Sequence, residues 1–143
     1  MPGPYVNAAL FCERVLTEQD GVLSFVRVVD RFMVQASATE GQAPAELPEG
    51  GQLQLTLVVI LKADDARGRY PITIRPQLPS GADLPAQTID MMFEGEDRGV
   101  NLIANMQIPA VEGLYWFDVV LNENTLLTRV PLRVIYQRIS GGG

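Results

Sequence analysis

Two acidic segments are the first candidates for chemistry in this sequence. Asp64 and Asp65 form one segment, and Glu94, Glu96 and Asp97 form the other. Loops at one end of a β-domain can gather carboxylates around Ca²⁺, which takes roughly six to eight oxygen ligands. Neither segment has the spacing of an EF-hand loop, so solvated turn carboxylates are the simpler interpretation. A calcium or small-ligand site in the end loops therefore stays as an alternative function.

The residue types that most hydrolytic mechanisms need are missing. The chain has no histidine, which removes the commonest general base and both the Ser-His-Asp and Cys-His arrangements. Its single cysteine, Cys12, follows Phe11 in an apolar run and is expected to be a buried, inert thiol. Glu13, Glu18 and Asp20 could form a pair of acid–base carboxylates, but nothing indicates a pocket around them. We therefore expect a protein that is not an enzyme and that has no cofactor or metal.

The charge and hydropathy of the chain restrict its partners. The formal net charge is -6 over 143 residues, which argues against nucleic acid or an anionic membrane as a partner. The first ten residues lack the charged start and apolar centre of a signal peptide, and no run approaches the ~20 apolar residues of a membrane-spanning helix. These features predict a cytoplasmic location.

Alternation of apolar and polar residues predicts the elements that must position any site. Tight turns are expected at Asp20-Gly21, 64–68, 94–99 and 122–124, and longer loops at 36–52 and 76–85. The loop at 36–52 is either functional or merely mobile. No segment predicts a helix of three or more turns. About eight strands are expected, at 5–13, 21–34 with an irregularity near Asp30-Arg31, 52–62, 69–75, 87–93, 100–108, 114–122 and 129–136.

These elements predict an all-β, single-domain antiparallel β-sandwich over residues 1–138, followed by a flexible Gly-rich tail at 139–143. The domain is organised around the hairpin at 111–136. Pro131 in its second strand cannot donate a ladder hydrogen bond, which predicts either an edge strand or a bulge at that point.

The start of this hairpin resembles a motif of immunoglobulin-like sandwiches. Gly113 precedes the strand and Tyr115 follows two residues later, as in the tyrosine corner, where the Tyr hydroxyl bonds to upstream backbone. Phe117 stands where antibody domains have a cysteine, which excludes the antibody subclass. The resemblance implies an immunoglobulin-like fold.

Two further segments, FCERVLTEQDGVLSFVRVVDRF (11–32) and LLTRVPLRVIYQR (126–138), resemble a family of small, uncharacterised bacterial proteins. The first is similar to that family's opening strand, its DG-containing turn and its next strand, and the second to its last strand. The family has no established activity, so the resemblance implies no reaction.

Four arginines lie on predicted strands that could be neighbours: Arg27, Arg31, Arg129 and Arg133. They would form a basic stripe for an acidic protein surface, or would cover apolar surface and pair with Asp30, Asp118 or Glu13.

The sequence therefore favours a non-catalytic protein–protein interaction or assembly module that uses a sheet face or edge. Its partner would be another protein or a second copy of itself, as a homo-oligomer. Trp116 is the first candidate because it points away from Tyr115 and Phe117; burial under a loop of its own chain is the alternative. The interface candidates are Trp116, Leu114 and Val120 on one strand, Val58 and Ile60 on a strand apolar on both faces, and Arg129 and Arg133.

Overall fold

Seven strands and no helix make up the part of the chain that the structure describes. The computed structural model describes residues 3–37 and 51–139. Within these residues no helix is long and apolar enough to cross a membrane. The prediction of an all-β chain is confirmed. The strands are β1 (Tyr5–Thr17), β2 (Leu23–Val29), β3 (Arg31–Ser37), β4 (Gln52–Gln77), β5 (Gln87–Pro109), β6 (Gly113–Leu121) and β7 (Thr125–Ile139).

The strands form two sheets that share β4 and β5. In the first sheet β2 pairs with β1, and β1 pairs with residues 56–62 of β4. In the second sheet residues 72–77 of β4 pair with β6, β6 pairs with β7, and β7 pairs with β3. β5 pairs with β4 along both halves, so among the described strands it is an edge of both sheets. Both sheets contribute residues to one hydrophobic core between them.

The β4–β5 ribbon bends where it passes from one sheet to the other. Its pairing shifts on either side of Asp64, which faces Glu96 across the ladder. Both residues have positive φ, 54° and 59°. Bulges of this kind bend and twist a strand without ending its pairing. The turns predicted at 64–68 and 94–99 are therefore wrong as chain reversals, because both segments lie inside continuous strands.

This continuity changes the strand count from about eight to seven. Four predicted strands merge into β4 and β5, while the predicted strand at 21–34 divides at Asp30 into β2 and β3. The irregularity predicted near Asp30-Arg31 is thus a real break between two strands that belong to different sheets. Most of the predicted loop at 36–52, and the tail from residue 140 onward, lie outside the described residues.

The predicted hairpin turns at the two ends of the chain are confirmed. At the first, Gly21 has a φ of 85° and its N–H donates to the Glu18 carbonyl at 2.9 Å. At the second, Asn122 and Glu123 both have positive φ, and Leu121 pairs with Thr125. Glycine and asparagine tolerate this left-handed backbone better than other residues do, so the turn signals have a direct physical basis.

One described pair departs from the antiparallel prediction. β3 pairs with β7 in parallel, beginning with Arg31 opposite Arg133. Pro131 lies two residues before this pairing starts, so at that point β7 has only β6 beside it. Pro131 therefore lies where β7 is an edge among the described strands, which is one of the two settings that its missing N–H predicted.

The tyrosine corner is present. Tyr115 is fully buried, and its hydroxyl donates to the Pro109 carbonyl and accepts from the Val111 N–H, each at 2.6 Å. Phe117 meets Phe11 of the opposite sheet edge-to-face, with ring centroids 4.8 Å apart. This aromatic contact joins the sheets at the strand position that carries a disulfide cysteine in antibody domains. The chain is an immunoglobulin-like β-sandwich.

Candidate interaction surface

The outward face of β6 and β7 brings together four of the residues that the sequence singled out. Trp116 lies opposite Pro131, and Leu114 lies opposite Arg133. Arg129 lies opposite Asp118, one row further along. Because β7 pairs with β3, Arg31 extends the row that contains Arg133. We call this surface the Trp116 face; it consists of Leu114, Trp116, Asp118, Arg129, Pro131, Arg133 and Arg31.

Arg129 is held in place above the indole ring of Trp116. Its guanidinium carbon lies 4.6 Å from the ring centroid. Its Nε donates to the Asp118 carboxylate at 2.7 Å, and this aspartate is more shielded from solvent than the arginine. The ion pair fixes the guanidinium plane, so Trp116 and Arg129 form one ordered unit on the surface. Trp116 is half-buried by its neighbours on the sheet, and its side chain points outward from the core.

The Trp116 face is basic although the protein as a whole is acidic. It carries three arginines and one aspartate. Arg31 and Arg133 are both exposed and lie side by side on neighbouring strands, and neither has an ion-pair partner among the described residues. Like charges placed directly opposite each other repel, so this pair favours an incoming anion.

Arg27 does not belong to this face. It lies on β2 in the first sheet, and its Nε bonds to the Glu13 carboxylate at 3.0 Å. The predicted stripe of four arginines is therefore reduced to three. The alternative of pairing is observed for Arg27 with Glu13 and for Arg129 with Asp118.

Val120 lies on the same side of β6, but it is only 4% exposed. Its neighbours in the ladder are Thr73 on β4 and Leu126 on β7, and the β6–β7 pairing shifts beside it. Thr73 is itself buried and bonds to Thr88 at 2.9 Å, so this corner of the outer face is closely packed. A partner that docks on this side of the sheet has almost no access to the Val120 side chain, and we remove it from the interface candidates.

The strand predicted to be apolar on both faces is the first half of β4, which lies between β1 and β5. One of its two interface candidates is inaccessible to a partner. Val58 is 0% exposed because Leu10 of β1 and Ile103 of β5 flank it in the first sheet. Ile60 is half-buried in the next row, opposite Ala8. Val58 therefore contributes no surface to a partner, whereas Ile60 keeps part of its side chain exposed.

The two acidic segments do meet, since Asp64 and Glu96 are opposite each other at the bend of the ribbon. However, basic side chains already contact this segment: Arg67 lies 3.9 Å from Glu96, and Arg98 lies 3.5 Å from Glu94. No group of three or more His, Cys, Asp or Glu side chains within residues 3–37 and 51–139 is arranged to hold a metal ion. Glu94 and Glu96 thus belong to exposed ion pairs within the chain.

The remaining candidates for chemistry lie on β1 and in the turn that follows it. Cys12 is buried in β1, and burial raises the pKa of its thiol, an effect partly offset by a hydrogen bond with the backbone of Arg14. A raised pKa disfavours the reactive thiolate. Glu13 pairs with Arg27, and Glu18 accepts a bond from Ser24. Glu13 lines two surface clefts, and neither of them is lined by Glu18 or Asp20.

The structure also shows a cleft that the sequence did not indicate. It has a volume of about 330 Å³ and opens between the two sheets, beside the end of β5. Leu84 and Pro85 line it on one side, and Met106 and Ile108 on the other. The Pro-rich connection before β5 predicted only a loop, because a cleft between distant strands leaves no local pattern.

Comparison with known proteins matches this chain to 70 chains of solved structures. The chain is similar to the crystal structure of a CARDB domain from Pyrococcus furiosus in complex with di-metal ions. The identity is 10%, the match covers 94% of this chain and 93% of that chain, and the TM-score is 0.38. No protein-family model and no curated protein matches the chain.

Proposed function

We propose that the protein is a non-catalytic interaction module that binds an acidic segment of another protein through the Trp116 face. The observation that carries this proposal is the ordered unit of Trp116 and Arg129 on an outward sheet face. Trp and Arg are the residue types that most often contribute a large share of binding energy at interfaces. Because Asp118 already orients Arg129, little side-chain entropy is lost when a partner docks.

The charges of this face support an acidic partner. Arg31 and Arg133 lie beside each other without an ion pair among the described residues. A carboxylate placed between them would relieve their mutual repulsion and accept charge-assisted hydrogen bonds. Leu114 adds apolar surface in the same row as the two arginines, and Pro131 adds apolar surface in the next row, so a segment that combines acidic and apolar residues fits the face.

The proposal includes a bacterial source and a cytoplasmic location. The resemblance of residues 11–32 and 126–138 to a family of small bacterial proteins supports the source and supplies no activity. The lack of histidine supports a role without catalysis.

Fluorescence polarisation with a labelled peptide of alternating Glu and Leu tests the proposal. The wild-type protein should bind with an affinity that falls as salt rises, because the contacts include exposed charges. Trp116→Ala should weaken binding about tenfold or more and should leave the melting temperature within about 2 °C of the wild type. Arg133→Glu should abolish binding.

Arg14→Glu is the matched control, because Arg14 is exposed on the first sheet, away from the Trp116 face. It should bind the peptide like the wild type apart from a small general charge effect. An equal loss of peptide affinity in Arg133→Glu and Arg14→Glu would contradict a defined binding site. A large drop in melting temperature for Trp116→Ala would instead assign Trp116 to the stability of the fold. Binding of double-stranded DNA as tightly as the peptide would overturn the choice of a protein partner.

A further inference from the structure

The second half of β5 is an uncharged sheet edge. The sequence from Gly99 to Val111 contains no Lys, Arg, Asp or Glu. Its pairing with β4 is regular, without a shift, from Gly99 opposite Lys62 to Pro109 opposite Gln52. Among the described strands β4 is its only partner, so one side of this half-strand presents free backbone groups. Such an edge is a template for pairing with another strand.

Two other described edges, β2 and the first half of β5, carry features that discourage such pairing. On β2, Arg27 has a left-handed backbone with a φ of 55° and carries a charge. On the first half of β5, Asp90 is exposed and the charged bend follows it. Charged side chains and local kinks are the usual means by which proteins block sheet edges. Neither feature occurs between Gly99 and Pro109, so this segment is open to pairing.

The outward residues of this segment are self-complementary. In the run Asn101-Leu-Ile103-Ala-Asn105, the two asparagines lie at equal distances from Ile103 and on the same side of the strand. Antiparallel pairing with a second copy about a two-fold axis at Ile103 would place each Asn101 opposite Asn105 of the other copy. The Oδ1 of Asn105 already accepts a hydrogen bond from Thr56 at 2.9 Å, which leaves its amide N–H groups to donate to Asn101.

We propose that the protein forms a two-fold symmetric homodimer by antiparallel pairing of the second half of β5 with the same segment of a second copy. Ile103, which is 40% exposed, meets its own symmetry mate at the axis. The first sheets of the two copies join into one continuous sheet, and the interface is isologous, as in most homodimers. The Trp116 face lies on the second sheet and stays free, so this inference is independent of the proposed function.

The cleft beside β5 gives the added strand a place for its inward side chains. In the pairing centred on Ile103, Val100 of the second copy lies next to Met106, which lines the cleft. Strand addition of this kind gains affinity from backbone hydrogen bonds and specificity from pockets for alternate side chains.

Sedimentation velocity over a concentration series tests the dimer. The wild type should shift from monomer to dimer as its concentration rises. Ile103→Lys should raise the dissociation constant at least about tenfold, because two ammonium groups would meet at the axis. Met92→Lys is the matched control: it makes the same change on the other half of β5, at a residue that is 45% exposed. It should dimerise like the wild type.

Cross-linking gives a second readout that locates the axis. Ile103→Cys should form a disulfide-linked dimer under mild oxidation, whereas Met92→Cys should not, because directly opposed antiparallel residues have the spacing that a disulfide needs. The native Cys12 is buried and should not cross-link. A wild type that stays monomeric at its highest soluble concentration would overturn the inference. So would equal weakening by both lysine variants, or equal cross-linking of both cysteine variants.

Discussion

Replacing Tyr115 with Phe tests how strongly the tyrosine corner fixes the entry to β6. The substitution removes one oxygen atom and keeps the ring that packs in the core. The Val111 N–H then loses its acceptor and the Pro109 carbonyl loses its donor. Each net hydrogen bond contributes about 0.5–1.5 kcal/mol, so the free energy of unfolding should fall by roughly 1–3 kcal/mol.

The assay is equilibrium unfolding in urea, followed by the fluorescence of Trp116, which is the only tryptophan in the chain. Trp116 is adjacent to Tyr115, so its signal reports on the strand that the corner anchors. The midpoint should move to lower urea with an unchanged m-value, because the fold and its buried surface stay the same. For a domain of this size the melting temperature should fall by about 3–5 °C per kcal/mol.

Tyr70→Phe is the control. Tyr70 also packs its ring against a phenylalanine, Phe93, at a centroid distance of 5.8 Å. Its hydroxyl makes no hydrogen bond within the described residues, so its removal should change the unfolding free energy by less than about 0.5 kcal/mol. If Tyr115→Phe costs no more than Tyr70→Phe, the two hydrogen bonds do not stabilise the corner and the reasoning is refuted.

Two predictions concern the conditions around the protein. Burial raises the pKa of Tyr115, although the hydrogen bond from the Val111 N–H lowers it in part. The folded state therefore favours the neutral phenol. The stability that this preference contributes is complete below the unfolded pKa of about 10 and is lost as the pH rises through the folded pKa. Between about pH 9 and 11 the unfolding free energy of the wild type should therefore fall more steeply than that of Tyr115→Phe, and parallel curves would contradict this. Calcium in excess over chelator should change the melting temperature by less than about 1 °C, because Arg67 and Arg98 already pair with Glu96 and Glu94 at the bend. A clear rise in the melting temperature would restore the calcium alternative.

Several features could be predicted from sequence because their causes are local. Alternation at period two placed Tyr115 and Phe117 inward and Trp116 outward, and the structure shows that arrangement. Gly113 before the strand indicated the corner that Tyr115 makes with the upstream backbone. The hairpin at Asn122 followed from residues that tolerate positive φ.

Other features depend on partners that are distant in sequence. Asp64 and Glu96 have the left-handed backbone of a turn, but because they face each other across one ladder they bend a ribbon and do not reverse the chain. The residue pattern of one strand does not distinguish a chain reversal from a bend within a continuous ribbon. Val58 and Val120 alternate like surface residues, yet neighbouring strands cover them, and that cover depends on the strand order.

The pairing of β3 with β7 shows the same dependence. It joins residues about one hundred positions apart and places Arg31 beside Arg133. The sequence suggested that these arginines could be neighbours but gave no reason to exclude Arg27. Arg27 is excluded because the chain breaks at Asp30 between β2 and β3, and these two strands pair in different sheets.

The passage of β4 and β5 through both sheets has a mechanical consequence. Two layers connected only by loops can shear past each other when the loops deform. Here two strands, paired along most of their length, carry load from one layer to the other through covalent backbone. Relative displacement of the layers must flex the bend near Asp64 and Glu96, where the ladder is already irregular. The sandwich is therefore stiff against sliding, and its compliance is concentrated at one corner.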